Sequence, residues 1–292
     1  MSFRIIVIDV SWVLFVWLLL ASLLVSSSDG IVQATTCIPY DDPLNPGWLN
    51  DDDDETRRVT PQYSNQWSVE YFATHKIVRH VSLNLVYYLY PCGAAVPSTS
   101  TVDVNNVTAL IEIPLAYPAT TQTPILAMMD ALGLRHDIAA FLSNPLFIAN
   151  QCIQQEIVDG NLATLNYDVT PPVLVRGNET FADNVDNVTS SSSSSSWTNE
   201  LVTFVSSFQV TSDNTLTLAP FVNNTMVAVT PELETTNQGA AEWIKYVSVF
   251  FDLEPVANAL VKMAQTRVNC IRNATAAAAS IMERKPKLLW GT

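Results

Sequence analysis

From residue 67 the chain breaks into short β-rich runs bounded by turn residues, and near Glu242 the apolar spacing becomes helical. Residues 68–72 and 76–81 read as a hairpin, and 85–90 as a buried strand ended by Pro91-Cys92-Gly93. Residues 107–113 form another apolar run, closed by Pro114. Thr123 stands where it can cap a helix over 124–132, with Gly133 at that helix's C-terminal end. The pattern predicts a short strand or helix over 138–142, a helix over 153–158, and strands over 173–176, 201–210 and 226–229. Strands alternating with helices imply an α/β fold on a parallel, doubly wound sheet.

Trp243, Val247, Phe250 and Phe251 share one face of an amphipathic helix. Asp252 is placed to cap a second helix, with Pro255 in its first turn, where a missing N–H costs nothing. Val256, Leu260, Met263, Ala264, Val268 and Ile271 carry an apolar stripe along it, and no breaker intervenes before Pro286. A helix of roughly 30 residues, about 45 Å long, is expected. Residues 286–290, Pro-Lys-Leu-Leu-Trp, then read as a lone strand. The organisation that follows is a leader (1–34), an acidic and poorly ordered lead-in (35–66) and an N-terminal α/β lobe (67–251). The Ser-rich stretch 189–196 reads as a loop within that lobe, followed by a long connecting helix (252–285) and a first strand of another unit (286–292).

Residues 3–25 are almost continuously apolar and lead to Val32-Gln33-Ala34, which reads as a secretory signal peptide cut after Ala34, or as an uncleaved anchor. The chain carries a formal charge of −14, and loss of 1–34 leaves 13 basic against 26 acidic residues. So acidic a surface argues against nucleic acid or anionic lipid as partners. The four cysteines, Cys37, Cys92, Cys152 and Cys270, contain no Cys-x-x-Cys pair, and in an exported chain they read as two disulfides. Of the three pairings, Cys92 with Cys152 is the expected one, since both fall where strands hand over to loops. Sequons at Asn106, Asn178, Asn187, Asn223 and Asn273 fit an exported glycoprotein.

The eight glycines are too far apart for a dinucleotide fingerprint, a phosphate loop or a nucleophile elbow. His75, His80 and His136 lack metal-protease spacing and read as surface or hydrogen-bonded residues. Glu242, the most deliberately placed acid, reads as part of a charged helix face. Neither catalysis nor a cofactor is expected. Ligands of open α/β sheets sit beyond the carboxyl ends of strands, which here are 90–94 and 114–121. Tyr90, Tyr117, Thr120 and Thr121 are therefore candidate ligand contacts, with Arg135 and Arg176 as cations for an anionic ligand.

The segment EWIKYVSVFFDLEPVAN, beginning at Glu242, resembles the eukaryotic secreted relatives of ABC-transporter substrate-binding proteins, in the iron-siderophore and cobalamin branch. SVEYFATHKIVRH, LVYYLYPCGAAVP and IEIPLAYPATTQTPILAMMDALGL are similar to that family's opening units, so the resemblance spans roughly residues 68–290. It implies a first α/β lobe, a long helix leading to a second lobe, and capture of a metal chelate such as an iron-siderophore, cobalamin or haem-like compound. A membrane permease or receptor is the implied partner. Against that resemblance the second lobe is expected to be almost wholly missing, so the alternative is a truncated or degenerate lobe acting as a structural or interaction glycoprotein without ligand binding.

Overall fold

The computed structural model describes residues 57–95, 107–166, 173–176, 179–181, 201–207 and 225–281. The expected leader, the Ser-rich loop, the terminal strand 286–292, Cys37 and the sequons at Asn106, Asn178, Asn187 and Asn223 lie outside the described residues. Everything described belongs to one compact unit, Ala34–Thr292.

One sheet runs in the order β1 (Trp67–Tyr71), β2 (Lys76–His80), β3 (Leu85–Pro91), β4 (Ala109–Ile113). The first three are antiparallel neighbours, because connections as short as 72–75 and 81–84 leave no room for a crossover. β4 joins β3 in parallel. A second sheet contains β5 (Pro118–Thr120), β6 (Ala140–Phe141), β7 (Ala163–Asn166), β8 (Val173–Arg176), β9 (Glu179–Phe181), β10 (Val202–Val205) and β11 (Thr225–Ala228). Its order is β11-β10-β5-β6-β7-β8-β9. Pairing is parallel from β11 to β7 and antiparallel across β7-β8-β9. Helix α1 (Thr123–Ala131) crosses from β5 to β6, and α2 (Gln151–Val158) from β6 to β7, as parallel neighbours require. The fold is thus mixed α/β, with a sheet containing parallel strands and a long C-terminal helix.

Several expected details shift for local reasons. Thr123 is the first residue of α1, not its cap; extended Gln122 precedes it without a side-chain bond, and Pro124 fits the first turn. Gly133, at φ +87°, ends the helix as expected. Helix α2 starts earlier than its apolar run because the Asn150 side chain accepts from the Cys152 and Ile153 N–H groups at 2.9 and 3.4 Å. The ambiguous stretch 138–142 becomes strand β6 by pairing on both sides.

Helix α3 (Asn237–Ser248) is capped by the Thr236 hydroxyl, which accepts from Gly239 N–H at 3.0 Å, and runs into a 3₁₀ turn at Val249–Phe251. Its apolar face is the centre of the molecule. Tyr246 meets Trp67 of β1 at 5.8 Å between ring centroids, and Phe250 meets Phe204 of β10 at 5.4 Å and Tyr87 of β3 at 6.1 Å. Helix α3 and the 3₁₀ turn that follows it therefore close both sheets into a common core. Each such ring contributes roughly 1.5–3 kcal/mol by burial. The Tyr87 hydroxyl also accepts from Ala228 N–H at 2.9 Å, tying the first sheet to the second.

Asp252 does not cap the next helix. It takes a left-handed conformation at φ 55°, and α4 (Glu254–Ile281) begins two residues later. At 28 residues, α4 is about 42 Å long. Leu253, Glu254, Ala257 and Val261 are buried, whereas Met263, Val268 and Ile271 are exposed, as is the Asn273 sequon. The lead-in also differs from expectation, because its last part, 57–66, is packed: Val59 is fully buried and Ser64 nearly so. The expected Cys92–Cys152 disulfide is not made. Cys152 is free and exposed in the first turn of α2, as is Cys270 on α4, whereas Cys92 is buried after β3. Cys92 itself is disulfide-bonded.

Candidate functional site

Because β11, β10, β5, β6 and β7 are parallel, their carboxyl ends share one edge of the sheet. From β5 the chain first builds β6 and β7 on one side and later adds β10 and β11 on the other. The direction of building therefore reverses between β5 and β10, and ligands of open α/β sheets bind beside such a reversal, beyond the carboxyl ends of the strands. The segments that leave these strands are Thr120-Thr121-Gln122, Leu142 to Phe147, Ser206-Ser207, and Val229 to Leu233.

Backbone bonds hold this edge together. Thr121 N–H donates to Phe204 O at 3.2 Å, Leu142 N–H to Thr120 O at 2.8 Å, and Val229 N–H to Val205 O at 2.8 Å. Ser207 donates its N–H and hydroxyl to one oxygen of Glu232, at 3.0 and 2.7 Å. Thr120 and Thr121 are buried beneath the rim, but Leu146 and Phe147 stand out from it, 86% and 69% exposed. They sit in a 3₁₀ turn that the Asn144 side chain fixes by accepting from Leu146 N–H at 2.9 Å. Two large apolar side chains held out into water are an unusual investment unless something covers them.

The candidate residues from the sequence do not converge. Thr120 and Thr121 reach the carboxyl edge, whereas Tyr117 precedes β5 and so lies at the opposite edge. Arg135 lies on the connection into β6 and is held by Asp130 at 2.6 Å. Arg176 ends β8, level with the start of β7, and donates to the carbonyls of Gly160 and Asn161 at 2.9 Å. Tyr90 belongs to the other sheet, opposite Glu112. Sequence reasoning missed Leu146, Phe147, Ser207 and Glu232. Asn144-Pro145 followed by Leu-Phe was the available signal, because a turn dipeptide implies a surface loop.

The strongest electrostatics lie away from this edge. Lys76 on β2 is buried and donates to Asp252 and Glu254, each at 2.6 Å. Burial pushes the Glu254 carboxyl up to about 7, with Lys76 opposing that shift and Asp252 adding to it. Burial works to lower Lys76, but the two carboxylates outweigh it and hold its pKa above the ordinary value. The Tyr71 hydroxyl, itself raised chiefly by burial, accepts from Val59 N–H at 3.0 Å and lies 3.5 Å from Glu254.

Glu242 is no surface charge either. Fully buried, it accepts from the N–H groups of Gln62, Tyr63 and Ser64 at 2.7–3.0 Å and from Lys245 at 3.3 Å. Glu234 accepts from Trp243 Nε1 at 3.0 Å and from the Ser64 hydroxyl. His80, buried against Trp243, bonds the Thr230 hydroxyl at 2.9 Å, and burial lowers its pKa to about 4. His75 is stacked between Phe72 and Tyr88, and His136 lies 3.2 Å from Glu156. These clusters join elements of the fold to one another.

Among the described residues no group of three or more His, Cys, Asp or Glu side chains is arranged to hold a metal ion, and no helix is long and apolar enough to cross a membrane. What the fold and this edge define is a mixed α/β chain with a reversal of strand order in its parallel sheet and an extended C-terminal helix. No family model, no curated protein and no solved structure matches it.

Proposed function

We propose that the chain is the first lobe of an exported solute-binding protein and captures a metal chelate without catalysis. In this reading the parallel strands form the doubly wound half of a clamp, α4 leads toward a second lobe, and a permease or receptor takes over the loaded protein. The observation that carries it is the strand reversal between β5 and β10, with Leu146 and Phe147 exposed on the carboxyl edge. An apolar rim beside hydroxyl and amide groups suits a bulky chelate with polar edges. The chelate class, an iron-siderophore or a cobalamin- or haem-like compound, rests on the sequence resemblance.

Titration of the full chain with ferric hydroxamates, cobalamin and haemin, read by tryptophan fluorescence, tests this. One of them should bind saturably, and Leu146→Ala with Phe147→Ala should weaken it by about tenfold or more while leaving the unfolding midpoint unchanged. No response to any of the three ligands, or an unaltered response in the double variant, would overturn the assignment. The exposed outer part of α4 favours a second reading, an interaction glycoprotein that binds other proteins.

A further inference from the structure

Helices α1, α3 and α4 border an apolar groove of about 730 Å³, lined by no residue of the sheet's carboxyl edge. Met128 and Ala131 of α1, Ala241 and Ile244 of α3, and Ala264 and Val268 of α4 line it. The alanines leave room between the helices for side chains from another element. Beyond the groove the stripe on α4 continues to Ile271, 59% exposed, where a globular helix would normally be covered.

The charge along α4 after Glu254 is opposite to that of the chain. Residues 255–281 hold Lys262, Arg267 and Arg272 and not one acid, in a protein of net charge −14. Arg272 reaches the groove, whose lining contains no carboxylate. None of these three cations is ion-paired among the described residues; Arg272 bonds only the neighbouring Asn269 side chain, at 3.1 Å. A second copy laid α4 against α4 would set three cations against three with no acid between them. An anionic membrane would attract α4 but repel the rest of the chain, which carries −17 once these three cations are set aside. We infer that the groove receives an acidic amphipathic helix from a partner protein, its apolar side chains between α1, α3 and α4 and its carboxylates drawn to Arg272 at the groove and to the other cations of α4.

The test uses the full chain and a fluorescein-labelled peptide of about 18 residues, with leucines at helical spacing on one face and glutamates elsewhere. A twin carrying lysine for every glutamate, and phosphatidylserine vesicles, are the comparisons. The acidic peptide should bind saturably and the lysine twin should not. Val268→Glu, at a half-exposed helix position that preserves the far-ultraviolet dichroism, should weaken binding by at least about tenfold. Reversing Lys262, Arg267 and Arg272 together to glutamate should transfer preference to the lysine twin. Failure of the acidic peptide to bind, equal binding of both peptides, indifference to Val268→Glu, stronger capture by the vesicles, or a Val268-dependent dimer in sedimentation would each overturn the proposal.

Discussion

Two buried groups with opposite titration behaviour should mask one another, and removing either should expose the other. Glu254 has its carboxyl raised from 4.5 to about 7, so between those values the folded chain holds a proton that the unfolded chain has lost. Its contribution is complete below about 4.5 and disappears as pH rises through 7, a difference of about 3 kcal/mol. His80 is lowered from 6.5 to about 4, so there the unfolded chain holds the extra proton. That contribution is complete above 6.5 and is lost as pH falls toward 4, again by about 3 kcal/mol. Between about pH 4.5 and 6.5 the two slopes oppose and nearly cancel. Lys76 and Tyr71, which face Glu254 from β2 and β1, have pKa values raised above their ordinary values and stay respectively charged and neutral across this range. Urea unfolding at pH 4.5 to 8.5 for the wild type, Glu254→Gln and His80→Gln separates the contributions. Relative to wild type, Glu254→Gln should gain stability with rising pH, and His80→Gln should gain it with falling pH. Difference profiles that stay flat, or that slope the same way in both variants, would refute the burial argument.

Glu242→Gln should cost about 3–5 kcal/mol in urea unfolding, because it removes a carboxylate shared by three backbone N–H groups and leaves Lys245 buried without its counter-charge; a loss below about 1 kcal/mol would show that the lead-in is not clamped there. Cys152 and Cys270 should both react with iodoacetamide in the native, unreduced chain, and a recovered peptide joining Cys92 to Cys152 would contradict the fold. Spin labels on those two native cysteines should report a narrow distance distribution. Replacing Lys76, Asp252 and Glu254 together by Met, Asn and Leu should preserve stability but broaden that distribution, and an unchanged width would show that the ion group does not fix the direction of α4.

What the sequence disclosed was local, and what it concealed was pairing over distance. The β1–β2 hairpin, the end of α1 at Gly133, and the α3 and α4 helices follow from spacing and turn chemistry within a few residues. Glu242 looked like an exposed charge because its partners, Gln62 to Ser64, lie about 180 positions away. Likewise, nothing local indicates that strands so similar in composition divide into two sheets. The site was misread through one three-residue strand. Pro118-Ala119-Thr120 has no apolar run, so 114–121 looked like the loop leaving the strand over 107–113, when β5 begins inside it. That one strand sends Tyr117 to the amino edge and leaves Thr120 and Thr121 at the carboxyl edge.

One group of buried charges, Lys76 and Glu254 with Asp252 beside them, gathers where α3 ends and α4 begins, and its energetics indicate why. Removing Lys76 and Glu254 from water costs several kcal/mol per ion, which close pairing at 2.6 Å, with the partly exposed Asp252 as a second partner, offsets but rarely exceeds. Apolar residues of similar volume would stabilise the same space at least as well, so stability alone does not explain the cluster. Apolar side chains, however, tolerate many mutual orientations, whereas a lysine between two carboxylates has few satisfactory ones. Lys76 comes from the first sheet, Asp252 from the left-handed turn and Glu254 from the first turn of α4, so satisfying all three fixes the angle at which the helix leaves the core. Leu253, Ala257 and Val261 then seat its first turns, and the largely exposed outer turns take their direction from this root. A helix held at its base and exposed along its outer turns presents its face at a constant position, which both a second lobe and a docking partner require.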